Sequence, residues 1–231
     1  MRYKKGFGKI WKSPSPYKVV AFSWMLLLDR IQTCSNLAFR HILDPVESCL
    51  CVLCGQGEES TTHLFLHCEV AFLIWRKVLN WLYINFIIPH NSFVHFECWS
   101  GEAPSNQLNR GFWLIRHATI QMIWKERIDR IFKNQFKNYD EVVDDIKALS
   151  WCWALSRLRI ASCLFYEWWW NPKEFLKRRW VLCFGTGFSK VWGCFVGFTA
   201  GSGGFPKVWV FCIFVGYWCV FFGGLSLLFG C

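Results

Sequence analysis

A group of sulfur and nitrogen donors lies in the N-terminal third of this 231-residue chain. Cys51 and Cys54 are separated by two residues, His63 follows after eight more, and Cys68 follows after a further four. Two thiolates at this spacing can reach one ion through a tight turn, and thiolates combined with imidazole suit zinc. Four protein ligands leave no coordination position for water or substrate. The spacing therefore predicts a structural Zn2+ site and not a catalytic one.

Two neighbouring residues leave the exact ligand set open. Cys49 could replace Cys51, although its spacing to Cys54 is less usual for a metal-binding turn. His67 lies one turn after His63 on the same predicted helix face and could replace Cys68. We prefer Cys68 because thiolate binds zinc strongly and the start of the helix brings it within reach. The alternative to a metal site is a small core that packs reduced cysteines.

The elements around these residues have the pattern of a small helical domain over residues 1–82. The segment 46–62 is turn-like, and Gly55 and Gly57 allow its tight geometry. Thr61 or Thr62 is expected to cap one helix that continues to residue 82 with apolar residues at helical spacing. Zinc binding would contribute on the order of 10 kcal/mol to the folding of so small a domain.

Four further segments follow this domain. Residues 83–106 are rich in Pro, Gly and Asn and form a predicted connector, and residues 107–160 form a predicted helical hairpin whose second helix Asn138 can cap. Most of the basic residues Arg116, Lys125, Arg127 and Arg130 are expected to point away from the apolar stripe of the first hairpin helix. Residues 161–180 form a basic and aromatic linker, and residues 181–231 a Gly/Phe-rich tail. The predicted fold class is mainly α, with an irregular or membrane-prone hydrophobic tail.

The tail has two interpretations. Residues 208–229 are uncharged, and as a helix they would be long enough to span a bilayer. Basic residues such as Lys190 and Lys207 precede this stretch, which would place its N-terminal side in the cytoplasm. The irregular mixture of Gly, Phe, Trp and Cys equally fits translated non-coding sequence that was never selected to fold.

Charge and cysteine usage restrict the partners and the compartment. The net charge of +10 and the pI of about 9.1 favour nucleic acid or an anionic membrane surface as partner. The 13 cysteines are unevenly placed, and no signal peptide opens the chain. We therefore expect an intracellular protein that is not secreted. It would be located in the nucleus or cytoplasm, or at a membrane if the tail inserts.

No catalytic constellation is found in the sequence. There is no phosphate-binding glycine loop and no dinucleotide fingerprint, and the adjacent Asp144 and Asp145 point in different directions on a helix. We therefore expect no enzyme activity and no small-molecule substrate.

Basic and aromatic residues alternate near the N-terminus, a mixture suited to phosphate contacts and base stacking in RNA or DNA. They are Lys4, Lys5, Lys9, Lys12, Lys18, Arg30 and Arg40, with Tyr3, Phe7, Trp11 and Tyr17. The alternative is a solvated basic surface over an aromatic core.

A family pattern extends over about residues 8–82. It consists of Trp11, Pro16, Lys18, Val19, Phe22, Trp24, Arg30, Thr33, Asn36, Leu37 and Arg40, then CVLCGQGEESTTHLFLHC and Trp75. This pattern resembles the reverse-transcriptase zinc-binding domain of plant non-LTR (LINE-type) retrotransposons. The resemblance implies that the cysteines and histidine named above are metal ligands and that the domain assists nucleic-acid handling.

The chain departs from that family in two respects. It lacks the polymerase and its Tyr-x-Asp-Asp strand, so it resembles a detached fragment of a retroelement. Met25 follows Trp24 where the family usually has a basic residue, which weakens one expected nucleic-acid contact. A relic without a selected function is the remaining alternative.

Overall fold

The computed structural model describes residues 8–43, 49–99, 105–158 and 164–177, together with the backbone of four strands between residues 194 and 229. The chain divides into two compact units, Met1–Trp180 and Val181–Cys231. The first unit is helical and contains the predicted metal-binding residues. The prediction of a mainly α fold is confirmed.

The described helices of the first unit follow one another along the chain, and the longest connection between them, residues 40–62, contains Cys51 and Cys54. These helices are α1 (Tyr17–Leu27), α2 (Cys34–Phe39), a π-helical turn (His63–His67), α3 (Glu69–Trp81), α4 (Ser92–Trp99), α5 (Asn106–Lys133), α6 (Tyr139–Arg157), α7 (Phe165–Trp170) and α8 (Pro172–Lys177). Helices α5 and α6 pack against each other and form the predicted hairpin. Asn138 caps α6 as expected, because its side chain accepts a hydrogen bond from the backbone of Asp140 while Glu141 bonds back to Asn138.

Helix α5 is the central element of this unit. It contacts α1, α3, α6 and α8, and every residue from 111 to 120 is buried. This differs from the expected amphipathic helix, since Arg116 and Arg127 are buried as well. The enclosed part of α5 has no solvent face to which a basic residue could turn, whereas Arg110, Lys125 and Lys133 of the same helix are exposed.

Tryptophan side chains fill much of the core. Trp75, Trp99 and Trp168 are fully buried, and each indole N–H donates a hydrogen bond to a buried acceptor. The acceptors of Trp75 and Trp99 are the carbonyl oxygens of Phe65 and Phe112. A buried indole needs such a partner, so these bonds explain how the interior accommodates many rings.

Two details of the helices differ from the sequence-based expectation. The single helix expected from residue 61 or 62 to residue 82 is interrupted at Cys68, whose ψ of 134° is not helical. Helix α4 lies inside the stretch predicted as a connector. The Asn91 side chain accepts hydrogen bonds from the first backbone N–H groups of α4, and α4 buries Phe96 and Trp99.

The second unit contains a four-stranded antiparallel sheet. Its strands are β1 (Cys194–Thr199), β2 (Lys207–Phe214), β3 (Tyr217–Phe222) and β4 (Leu225–Phe229), in the order β1-β2-β3-β4. The expected membrane-spanning helix over 208–229 is therefore replaced by strands. Aromatic and β-branched residues favour strands, and glycines lie between β2, β3 and β4 in the sequence. In the described part of the chain, no helix is both long and apolar enough to cross a membrane.

Candidate metal centre

Four side chains from the segment 51–68 come together beside the π-helical turn. The Sγ atoms of Cys51, Cys54 and Cys68 and a ring nitrogen of His63 all lie within 4.8 Å of one another. The Sγ atoms of Cys51 and Cys68 are 3.8 Å apart, and Cys54 Sγ lies 3.3 Å from His63 Nε2. Cys51 and Cys68 are buried, whereas Cys54 and His63 are partly exposed.

Two of the separations between these donor atoms fit a tetrahedral zinc ion. With Zn–S bonds of about 2.3 Å and Zn–N bonds of about 2.0 Å, two sulfur ligands lie about 3.8 Å apart, and sulfur and nitrogen ligands about 3.5 Å apart. The two short separations in the cluster agree with both values. Three thiolates and one imidazole are also a donor set that zinc commonly takes. The residues therefore fit the ion that the spacing predicts.

The turn between Cys51 and Gly57 shapes the first half of the site. Gly55 N–H donates to the Cys51 carbonyl at 2.7 Å, and Cys51 N–H donates to the Gly57 carbonyl at 3.0 Å. Gly55 and Gly57 have φ angles of +68° and +66°, in the left-handed region that favours glycine. A Cβ on Gly57 would lie 3.3 Å from His63 Cε1, so this glycine also leaves room for the imidazole.

The interruption at Cys68 shapes the second half. Cys68 N–H donates to the His63 carbonyl at 2.6 Å, which closes the π-helical turn between the two candidate ligands. Leu64, Phe65 and Leu66 inside that turn are buried and fix its position in the core. A π-helical turn widens the helix by one residue, and such turns are frequent at functional sites.

The structure distinguishes between the alternative ligands. Cys49 forms a disulfide with Cys34 instead of joining the cluster. His67 is exposed, and its ring contacts the ring of His90 with centroids 5.5 Å apart. The four sulfur and nitrogen atoms that do converge belong to the preferred set.

The two buried thiols of the cluster influence each other's ionisation. The hydrogen bond from Cys68 lowers the pKa of the Cys51 thiol to about 5, and this same contact, together with burial, raises the pKa of Cys68. Zinc binds the thiolate form, so the thiol of Cys68 keeps a proton until an ion binds. Because an ion bound here must displace that proton, its affinity should increase with pH.

The loop of residues 49–59, which carries Cys51 and Cys54, is called the metal loop. A buried ion pair that sequence reasoning missed holds this metal loop against α5. Arg127 donates from Nε and Nη2 to Glu59 Oε1, at 2.9 and 2.7 Å, and both side chains are less than 10% exposed. The same carboxylate oxygen accepts the Cys34 N–H at 3.0 Å, and Glu59 N–H donates to the Cys49 carbonyl. The Glu59 carboxylate thus joins its own loop to α5 and to the start of α2. No sequence signal connects Glu59 with Arg127, which lies 68 positions later.

A second arginine of α5 contacts the metal loop directly. Arg130 Nη1 donates to the carbonyl of Leu53, inside the Cys51–Cys54 turn, at 2.7 Å. Its Nε pairs with Glu126 at 2.7 Å, and that carboxylate also accepts the backbone N–H of Lys137. The Cys51–Cys54 turn is therefore held by a helix that begins more than 50 residues later in the sequence.

The residues expected to contact nucleic acid are only partly described. Lys9, Trp11, Lys12, Tyr17 and Lys18 are exposed. Arg30 and Arg40 are exposed too, and Arg40 donates to the Arg30 carbonyl. Tyr3, Lys4, Lys5 and Phe7 lie outside the described residues.

Comparison with known proteins agrees with the zinc chemistry of the cluster. Residues 2–75 match the family described as zinc-binding in reverse transcriptase. All four converging residues fall inside this match, whereas Arg127 and Arg130 lie beyond its end. No curated protein and no solved structure matches the chain.

Proposed function

We propose that the N-terminal unit is a non-catalytic structural zinc module of the reverse-transcriptase type, derived from a retrotransposon. The convergence of three thiols and one imidazole within 4.8 Å carries this proposal, and the family match over residues 2–75 supports it. Four protein ligands close the coordination sphere, so the ion has no position for substrate. The residue pattern over 8–82 further supports an origin in a non-LTR element of plants.

Metal analysis of the purified full chain tests the zinc site. We expect one zinc per chain in the wild type and less than one in Cys51→Ser and Cys68→Ser. Cys98→Ser is the matched control, because Cys98 is a free and exposed cysteine outside the cluster. A wild-type chain that is folded but contains no zinc, or a Cys68→Ser chain with full zinc content, would contradict the proposed ligand set.

Cobalt substitution tests the geometry separately. A tetrahedral site with three thiolates should give intense visible absorption and a thiolate charge-transfer band, both of which weaken in Cys54→Ser. Cys49→Ser and His67→Asn should leave the spectrum unchanged, because neither residue belongs to the converging set.

A second proposed activity is binding to RNA or DNA through the basic N-terminal region. The observation that favours it is the absence of any acidic residue before Asp29, while Arg2, Lys4, Lys5, Lys9, Lys12 and Lys18 all precede it. Mobility-shift titrations across a salt series test it, since phosphate contacts make affinity fall steeply with salt. Absent binding, or binding indifferent to salt, would exclude this activity.

We also propose an intracellular location, where the three cysteines of the site stay reduced and where we expect Cys34 and Cys49, which form a disulfide in the structure, to be reduced as well. Fractionation and imaging of the tagged full chain would check this, and recovery in the medium would contradict it.

A further inference from the structure

Three aromatic rings form a continuous surface at the start of α1. Tyr17 and Trp24 are seven residues apart, two turns along the helix, and Trp11 lies against both. The ring centroids of Trp11 and Tyr17 are 5.5 Å apart, and those of Trp11 and Trp24 are 6.1 Å apart. Tyr17 is 73% exposed and Trp11 is 44% exposed. Contiguous exposed rings mark an interaction site more often than single exposed rings, such as Trp170, do.

The segment that carries Trp11 is fixed in place before any ligand binds. Ile10 beside it is fully buried. Backbone hydrogen bonds join Lys12 N–H to the Lys9 carbonyl and Ser13 N–H to the Ile10 carbonyl, both at 3.1 Å. Because the ring is already positioned, a ligand that stacks on it has little conformational entropy to remove.

Cations surround these rings in the sequence, and all of them are exposed. Lys9 and Lys12 flank Trp11, and Lys18 follows Tyr17. No acidic residue precedes Asp29 in the sequence, and within the described residues none of these three lysines forms an ion pair. A surface that combines open ring faces with unopposed positive charge is complementary to a polyanion that exposes flat apolar groups.

We infer that this aromatic surface, consisting of Trp11, Tyr17 and Trp24, binds single-stranded nucleic acid by base stacking, and that Lys9, Lys12 and Lys18 contact its phosphates. The inference rests on the nucleic-acid binding proposed above and names its strand type and its contact residues. At 5.5 Å the rings of Trp11 and Tyr17 are already in contact, so a base stacks on an outer ring face and does not insert between them.

Single strands are favoured over duplexes for a geometric reason. In a duplex the faces of the bases are covered by their neighbours, and a protein ring reaches them only by unstacking the helix. In a single strand each base can turn onto an aromatic side chain, and every base has such a face. The surface should therefore discriminate by strand type more than by base sequence.

Fluorescence anisotropy with the zinc-loaded full chain tests the inference. The probes are labelled oligo-dT and oligo-U of about 12 nucleotides, and a duplex of equal length, a size within the range that single-strand sites cover. The affinity of Trp11→Ala and Tyr17→Ala for the single strands should fall about 5- to 150-fold, as expected from ~1–3 kcal/mol per stacked base. Affinity for the duplex should change little.

Matched variants separate stacking from charge and from loss of aromatic surface. Trp170→Ala removes a ring that is 75% exposed elsewhere in the same unit, and it should leave single-strand affinity unchanged. Replacing Lys9, Lys12 and Lys18 by Gln should lower the salt dependence of single-strand binding by about 0.7 for each phosphate contact that is lost.

The binding of single strands, duplex and vesicles by the wild type and the variants decides between the possible ligands. Tighter single-strand binding that depends on Trp11 and Tyr17 supports the inference. Equal binding of both strand types, unaffected by these variants, overturns the stacking surface and leaves nucleic-acid binding in place. No binding of any oligonucleotide removes both. Binding only to phosphatidylserine vesicles, lost in Trp11→Ala, would overturn the inference and assign the surface to a membrane.

Discussion

Replacing Arg127 by methionine should weaken zinc binding, although Arg127 does not belong to the cluster of candidate ligands. The substitution keeps a long flexible side chain but removes both hydrogen bonds to Glu59 Oε1. The Glu59 side chain, which is 2% exposed, then keeps the Cys34 N–H as the one hydrogen-bond donor to Oε1 among the described residues. The loop beside Cys51 and Cys54 would then lose its charged connection to α5.

The size of the effect follows from the burial of the pair. Removing one partner of a buried ion pair costs about 3–5 kcal/mol, because the other charge remains buried without compensation. Part of this cost can be avoided if the loop moves and exposes Glu59 to water, but that movement separates the loop from α5. We therefore expect the free energy of unfolding of the zinc-loaded protein to fall by about 3 kcal/mol.

The assay is competition for zinc with a chromophoric chelator, combined with urea unfolding of the zinc-loaded full chain. Lys133→Met is the matched control on the same helix. Lys133 is exposed and pairs with the buried carboxylate of Asp129, and Lys125 still pairs with that carboxylate when Lys133 is removed. Because Asp129 keeps a charged partner, the control should lose much less stability and zinc affinity than Arg127→Met.

The double variant Glu59→Met with Arg127→Met completes the test. Removing both charges together should recover part of the lost stability, because no unpaired charge remains in the interior. Zinc affinity in Arg127→Met equal to that in Lys133→Met, in a protein that is still folded, would refute the idea that this ion pair positions the metal loop.

Three further predictions concern the turn, the core and the hairpin. Gly57→Ala and Gly55→Ala should each lose about 1–2 kcal/mol of stability, because alanine is strained at a positive φ angle. Only Gly57→Ala should also weaken zinc binding, because its Cβ would press on His63. Equal zinc affinity in both variants would exclude that contact. Burial and the nearby Arg116 hold the pKa values of His95 and His117 well below 6.5. Below about pH 6.5 the unfolded chain therefore binds more protons than the folded chain. As the pH decreases through this range, the free energy of unfolding should fall by up to about 1.4 kcal/mol per pH unit for each histidine. His117→Gln should reduce that slope in urea titrations, and a slope identical to wild type would contradict the assignment. Asn138→Ala should cost about 1 kcal/mol through loss of the α6 cap, which thermal unfolding beside the exposed control Ser156→Ala would measure.

The local chemistry of the site could be predicted from the sequence because it depends on short spacings. Cys51 and Cys54 share one turn, and the positive φ angles occur at the two glycines that the turn chemistry indicated. The Asn138 cap is local in the same sense, since its partner Glu141 is three residues away. Such features are determined by a few neighbouring residues, and sequence patterns describe them well.

Most of the features that were missed depend on contacts between distant segments. Arg127 meets Glu59 across 68 residues, and Arg130 meets Leu53 across 77. The interruption at Cys68 also was not predicted, because residues 61–82 keep helical periodicity on both sides of it. Periodicity detects which face of a helix is apolar, but it does not show whether a helix is enclosed on every side, as residues 111–120 of α5 are.

The contacts of α5 imply that zinc stabilises more than the segment that matches the zinc-binding family. Zinc binding contributes on the order of 10 kcal/mol to folding in small zinc domains. The metal loop is connected to α5 through Glu59 and Leu53, and α5 is the helix against which α1, α3, α6 and α8 pack. Loss of the ion would therefore free the loop, leave the Arg127–Glu59 pair open to water and weaken the packing of the central helix. Residues 2–75 and the hairpin should consequently unfold as one cooperative unit, whose stability depends on zinc throughout.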